Sequence, residues 1–239
     1  MNYGVPIESP IPPGLIEGTA EMAEAPADRI EAARTILTSS GWKLNQGKGV
    51  FEKRSAKENS VLQFSISTSD APELKRAAEL IKEDWEKLGA KVELKIFDTG
   101  DLNQNVIRPR KYDSLLFGEI VGRDLDFFAF WHSSQRNDPG LNIALYTNIT
   151  VDKLLEEARV MADKLERKGR YKKFEQEVLE EVPAVFVYSP NFIYAVPLKV
   201  KNVALGHAIT PSERFLSVHD WYIETDHVWK IFNRNQSKH

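Results

Sequence analysis

Cysteine is missing from all 239 residues, which removes disulfide frameworks, thiolate catalysis, zinc ribbons and iron–sulfur clusters from consideration. Long apolar runs are also scarce. The longest, residues 182–196, is too short to span a bilayer and is interrupted by Pro183, Ser189, Pro190 and Asn191. The opening Met1-Asn2-Tyr3-Gly4 has no basic group, and no apolar core follows it. It does not read as a signal peptide, so for an exported protein the signal is expected outside this chain. An excess of one charge is lacking as well: 35 acidic residues face 32 basic ones, for a net charge of −3. That balance supplies no reason, at the level of the whole chain, to expect nucleic acid or an anionic membrane as partner. The basic run at residues 164–173 is broken by Leu165, Glu166, Gly169 and Tyr171 and reads as the solvated face of a helical pair.

What is present is enough for a real core: 42% of residues are apolar, in a length that suits one large domain or two modest ones. Pro6, Pro10, Pro12, Pro13 and Pro26 crowd the first residues. Proline fixes φ and withholds a donor, so residues 1–27 read as an extended strap or linker, of the kind that follows an earlier part of a chain. Asp28 is an N-cap for a helix with Ile30, Ala33 and Leu37 on one face and Gly41 past its end. Gly47-Lys48-Gly49 turns a hairpin between residues 42–44 and 50–53; no helix follows it, so it is not a phosphate loop. Val61, Phe64 and Ile66 have strand character. From Pro72 onward Leu74, Ala77, Ala78, Ile81, Trp85 and Leu88 recur at helical spacing until Gly89, after which Val92, Leu94 and Ile96 alternate. Strand, helix and strand in this order predict a βαβ crossover with parallel strands.

Further along, Asp101 is expected to open a short helix and residues 112–121 to form another strand. Helices are predicted over residues 151–165 and 169–181, and strands over 184–188 and 192–196 around Ser189-Pro190-Asn191. The tail from Lys199 is irregular and aromatic, with Phe215, Trp221, Tyr222, Trp229 and Phe232. Aromatic surface of that kind is expected to pack against something else.

Local chemistry is thin. Trp131-His132-Ser133-Ser134-Gln135, with Asn142 and Tyr146, brackets neutral hydrogen-bonding groups between aromatics, which suits holding a molecule better than converting one. Ser133 and Ser134 lack the glycine-flanked elbow and the base that a serine nucleophile needs, and no catalytic residue is assigned. His219-Asp220 and Asp226-His227 have no third ligand at useful spacing, so neither metal nor cofactor is expected. Asp124 and Asp126, with Arg123 beside them, read as a neutralised structural cluster. In Asn148-Ile149-Thr150, Thr150 reads as a helix cap in preference to the sequence serving as a glycosylation acceptor.

Taken in order, several segments resemble one family. Residues 4–13 (GVPIESPIPP), 33–42 (ARTILTSSGW) and 78–92 (AELIKEDWEKLGAKV) do so. So do Tyr112-Asp113 with its apolar strand, the loop from Trp131 to Tyr146, the helix pair containing VDKLL at 151–155 and residues 170–175, residues 183–188, and Ser212-Glu213-Arg214-Phe215 with Trp221-Tyr222. The chain is similar to the extracellular solute-binding proteins of ABC importers, of the oligopeptide, dipeptide and nickel-binding type. The resemblance implies an α/β fold: a type II periplasmic-binding-protein-like lobe with a mixed sheet flanked by helices, plus segments of the other lobe. On this plan residues 1–27 are an interlobe strap, 28–182 the second lobe, and 183–239 return strands and tail belonging to the first lobe, whose body is expected to precede this chain.

The resemblance also implies hinge closure around a small solute, most often a peptide, which is handed to ABC permease subunits on the periplasmic or extracellular side. It implies no nucleic-acid partner, and a membrane reached only through the permease or an anchor outside the chain. Phe117, Gly118, Glu119, Ile120, Asp124, Trp131 and Ser133 are the residues it places at the ligand. Peptide-binding members carry an aspartate for the peptide's amino terminus shortly before a turn that matches Asp124-Leu125-Asp126; here that position falls near Val121, and Glu119 is the nearest acid. With half a cleft, residues 1–239 alone are expected to bind ligand weakly. The rival reading is a stand-alone interaction module that uses the aromatic tail.

Overall fold

A computed structural model describes residues 4–12, 16, 28–55, 59–122, 125–204 and 210–223. It opens with a short strand, β1 (Gly4–Pro6), and then helix α1 (Arg29–Ser39), where Asp28 accepts the N–H groups of Ile30 and Glu31 as expected of an N-cap. Strands β2 (Lys43–Asn45), β3 (Val50–Arg54) and β4 (Asn59–Val61) form an antiparallel meander whose first turn holds Gly47 and Gly49.

The predicted crossover follows. β5 (Gln63–Ser69) leads through α2 (Pro72–Leu88) into β6 (Lys91–Phe97), and the two strands pair in parallel from Gln63 with Lys91 to Ser69 with Phe97. Gly89 ends α2 in the left-handed region at φ 113°. A Cβ there would press on Leu44 and Phe51 at 3.1 Å, so glycine serves both the turn and the packing of α2 on the meander.

A short helix α3 (Thr99–Asp101), capped by Asp98, continues as a wider π turn over Leu102–Ile107. It delivers the chain to β7 (Ser114–Leu115), which adds to the other side of β5, again in parallel. The sheet order is β6-β5-β7. A full strand over 112–121 was expected, yet only two residues pair. β5 itself runs on to Ser69, but side chains take the bonds on both flanks of β7: Asp113 accepts the Ser65 N–H, and the Thr68 hydroxyl donates to the Leu116 carbonyl. The helix pair also differs from expectation. After α4 (Phe128–Trp131) come α5 (Ile149–Val160) and α6 (Lys164–Glu181). Asp163 accepts the N–H groups of Leu165 and Glu166, which starts α6 ahead of its expected beginning. Asn148, in place of Thr150, caps α5 through its side-chain oxygen.

α5 and α6 form a hairpin over the largest core, where Val151, Leu155 and Ala158 meet Tyr171, Phe174 and Val178 around Phe127. The proline-rich strap contributes to this core: Ile11 and Ile16 are each 2% exposed, and Ser9 donates a hydrogen bond to the buried Glu175 carboxylate. The return segment is less regular than expected. β8 (Tyr188–Pro190) includes the Ser189-Pro190 thought to interrupt two strands, and pairs antiparallel with β1; residues 192–196 form no strand. β9 (Val200–Lys201) and β10 (Tyr222–Ile223) make a last small ribbon.

Candidate functional site

Parallel sheets present the carboxyl ends of their strands, and the connections leaving them, as the usual place for a ligand. Here β5 and β7 run the same way, so their C-terminal ends lie on one side. β5 brings small hydroxyl residues to that end: Ser67, Thr68 and Ser69 are buried. Thr68 Oγ1 donates to the Leu116 carbonyl at 2.9 Å, and the Leu116 N–H reaches the Ser67 carbonyl at 2.9 Å. At the start of β7, Asp113 accepts both the Ser65 N–H (2.9 Å) and the Ser65 hydroxyl (2.7 Å), while Ser114 Oγ donates to the Ser65 carbonyl. The two bonds to Asp113, hydroxyl first, hold its carboxyl below its ordinary value. The strand is pinned as far as Leu116 and then released.

Phe117, Gly118, Glu119 and Ile120 follow directly and are all exposed, Phe117 to 41% and Ile120 to 65%. No hydrogen bond joins them to another described residue. Their backbone donors and acceptors are therefore open to an added chain, although the residues themselves form no strand. Glu119 is distinctive here. Desolvation pushes its carboxyl up to about 7, and no described cation pairs with it. Exposure of the residue and desolvation of its carboxyl conflict on a convex surface; they are compatible where water reaches the group from one side only. Four of the seven residues expected at the ligand are thus consecutive and accessible.

Two others are elsewhere, and the seventh, Asp124, lies outside the described residues. Trp131 is 5% exposed and sits in the helical core, edge-on to Tyr146 and Phe174 and tilted against Phe186. Ser133 gives its N–H and hydroxyl to the two oxygens of Asp152 on α5. The polar residues around them hold the loop together. Asn142 is fully buried; its amide donates to the carbonyls of Trp131, His132 and Tyr146, and its oxygen accepts the Tyr146 N–H. In sequence, an asparagine between two aromatics looks the same whether it holds a ligand or its own backbone.

His132, Ser134 and Asp152 bring together the residue types of a hydrolase, with Ser134 Oγ 2.8 Å from His132 Nδ1. The geometry does not support that chemistry. Nδ1 already accepts the Ser134 N–H at 3.1 Å, so its lone pair caps a helical turn (Ser133–Gln135) and cannot take a proton from the hydroxyl. The ring is stacked on Phe128 at 4.1 Å, and Nε2 faces Glu156 at 3.4 Å. Asp126 pairs with Arg159 at 3.2 Å; its expected neighbour Arg123 is outside the described residues. Among the described residues no three histidine, aspartate or glutamate side chains converge for a metal. His219 faces its neighbour Asp220 at 3.3 Å, and the pair Asp226-His227 lies outside the described residues.

The family model for "Bacterial extracellular solute-binding proteins, family 5 Middle" matches residues 1–139. The chain belongs to this family. Among curated relatives, the oligopeptide-binding protein AppA of Bacillus subtilis is 25% identical over 193 residues, covering 80% of this chain and 34% of that protein. The heme-binding protein A of Haemophilus influenzae is 28% identical over 188 residues, covering 77% and 31%. The chain therefore spans about a third of the length of these relatives. Solved structures confirm the fold. AppA in complex with a nonapeptide superposes with a TM-score of 0.74 at 23% identity, over 93% of this chain and 43% of that one. NikZ of Campylobacter jejuni, in complex with Ni(L-His), gives 0.66 at 24% identity, over 92% and 43%. The family 5 member described here accordingly has the type II periplasmic-binding-protein architecture. No helix among its described residues is long and apolar enough to cross a membrane.

Proposed function

We propose that this chain supplies one wall of the ligand cleft in the substrate-binding component of an ABC importer, and that its solute is a peptide with a free amino terminus. The observation that carries this reading is the released edge after β7. Its four exposed residues have no hydrogen-bond partner among the described residues, and one of them is a carboxyl with no described cation beside it. An extended peptide adds to such an edge as a further strand, its main chain supplying the missing hydrogen bonds. Its ammonium group would meet Glu119, turning a costly lone carboxylate into a pair. Residues 28–182 then act as the second lobe, with residues 1–27 as strap and 183–239 as the part that belongs with the first lobe. Closure of the two lobes would present the solute to a permease on the periplasmic or extracellular face. Trp131 and Ser133 contribute by supporting the lobe behind that wall, and no catalytic residue is required.

The charge on Glu119 makes the reading pH-dependent. Its carboxyl is about half protonated near 7, so affinity for an ammonium should fall as pH drops below that value. It should fall again above the α-amino range of about 7.7–8.0. The test is an amide NMR titration of the 239-residue chain with a short peptide, free and N-acetylated, at about pH 7.5 and about pH 5.5, either side of the carboxyl's midpoint. Shifts are expected at residues 117–120, for the free peptide only, and weaker at the lower pH. An equal response to the acetylated peptide would remove Glu119 from recognition, and a response confined to other residues would remove the edge itself.

A further inference from the structure

The α5–α6 hairpin ends in a tip that the core does not cover. Val160, the last residue of α5, is 86% exposed, and Leu165, in the first turn of α6, is 79% exposed. The buried contacts of the hairpin stop at Ala158 and Tyr171. Around this apolar tip the charge is one-sided. Residues 159–173 hold Arg159, Lys164, Arg167, Lys168, Arg170, Lys172 and Lys173 against Asp163 and Glu166, in a chain whose net charge is −3. Arg159 is engaged by Asp126 and by the Phe128 ring, and Arg170 by Glu157. The other five cations have no carboxylate at ion-pair distance among the described residues. Lys164, Lys168 and Lys172 recur at four-residue spacing and so share one flank of α6, with Leu165 beside them.

We propose that this tip is a contact site for an anionic lipid bilayer. Unneutralised lysines on long flexible stems, set beside projecting aliphatic side chains, match the polar and acyl layers of a lipid surface. A protein partner would need a defined pocket for Val160 and Leu165, whereas a bilayer accepts them without one. The near-neutral balance of the whole chain conceals this local excess, and the proposal stands independently of the ligand cleft.

The test is flotation of the 239-residue chain with vesicles of phosphatidylcholine alone, or mixed with phosphatidylglycerol at about 3:1. Capture by the anionic vesicles is expected at about 0.05 M salt and its loss at about 0.5 M. K164E/K168E/K172E should lower capture at least about tenfold, K164R/K168R/K172R should retain it, and V160S/L165S should weaken it several-fold, with matching circular dichroism throughout. Equal capture by neutral vesicles would remove the lysines from the contact and overturn the proposal. So would capture that is indifferent to the charge reversals. Loss on charge reversal with no effect of V160S/L165S would remove the projecting apolar tip from the contact and overturn the proposal of a bilayer site.

Discussion

Asp113 directly precedes the edge strand β7 and Glu119 lies four residues past its end, and their environments are opposite. Asp113 accepts two hydrogen bonds from Ser65, and its carboxyl is held low. Glu119 has no partner among the described residues, and desolvation pushes its carboxyl up to about 7. One acid fastens β7 to β5; the other lies where the strand has run out of neighbours. The same division holds further along the chain. Asn142 makes four hydrogen bonds to its own loop and none is spare. Residues 117–120 have theirs to give. Groups that hold the fold are satisfied inside it, and groups available to a ligand are those the fold leaves unsatisfied.

The largest expected effect tests the satisfied side. Asn142→Leu strands the Trp131 and Tyr146 carbonyls and the Tyr146 N–H in a closed interior, while the His132 carbonyl keeps its bond from Gln135, and should cost about 3 kcal/mol or more in urea unfolding. A loss under about 1 kcal/mol would show that the loop does not depend on its asparagine. Asn148→Ala removes the α5 N-cap and should cost about 1 kcal/mol, measured in the same way; Thr150→Ala should cost less, and the reverse order would restore Thr150 as the cap.

The smallest effect discriminates most sharply between the two acids. A carboxyl held low in the folded state contributes stability above its unfolded pKa and loses it as pH falls through the folded value. The melting-temperature deficit of Asp113→Asn should therefore be present at neutral pH and shrink in acid. A carboxyl pushed up contributes stability that is full below the unfolded value near 4.5 and lost as pH rises through about 7. Glu119→Gln should thus gain on the wild type between those two values and level off above them. Parallel pH profiles for the two variants would dissolve the contrast.

Much of the architecture is legible in the residue pattern alone. β5, α2 and β6 announce themselves because their apolar residues recur with the period of the element, and Asp28 and Gly89 are end signals with a direct physical cause. The strand expected over 112–121 is too long because a strand is a relation between two segments, and here the side chains of Asp113 and Thr68 take the bonds on either flank of β7. Thr150 and Asn148 are both capping residues two positions apart; which one caps depends on where the backbone turns. Trp131 carries the composition of a binding loop, yet packing places it in the core beside Phe174, a residue more than forty positions away. Of the residues expected at the ligand, the consecutive ones stay together, since adjacency in sequence cannot be undone by folding.

By itself, then, the sequence determined the periodic elements, their parallel crossover and the family, all of which rest on local spacing. Only the tertiary structure decided where β7 loses its partner, which polar groups are used up within the fold, and that Glu119 keeps a desolvated carboxyl with no described cation against it. Those outcomes depend on which distant segments meet, and a chain's local pattern carries the tendency to pair without specifying where the pairing must stop.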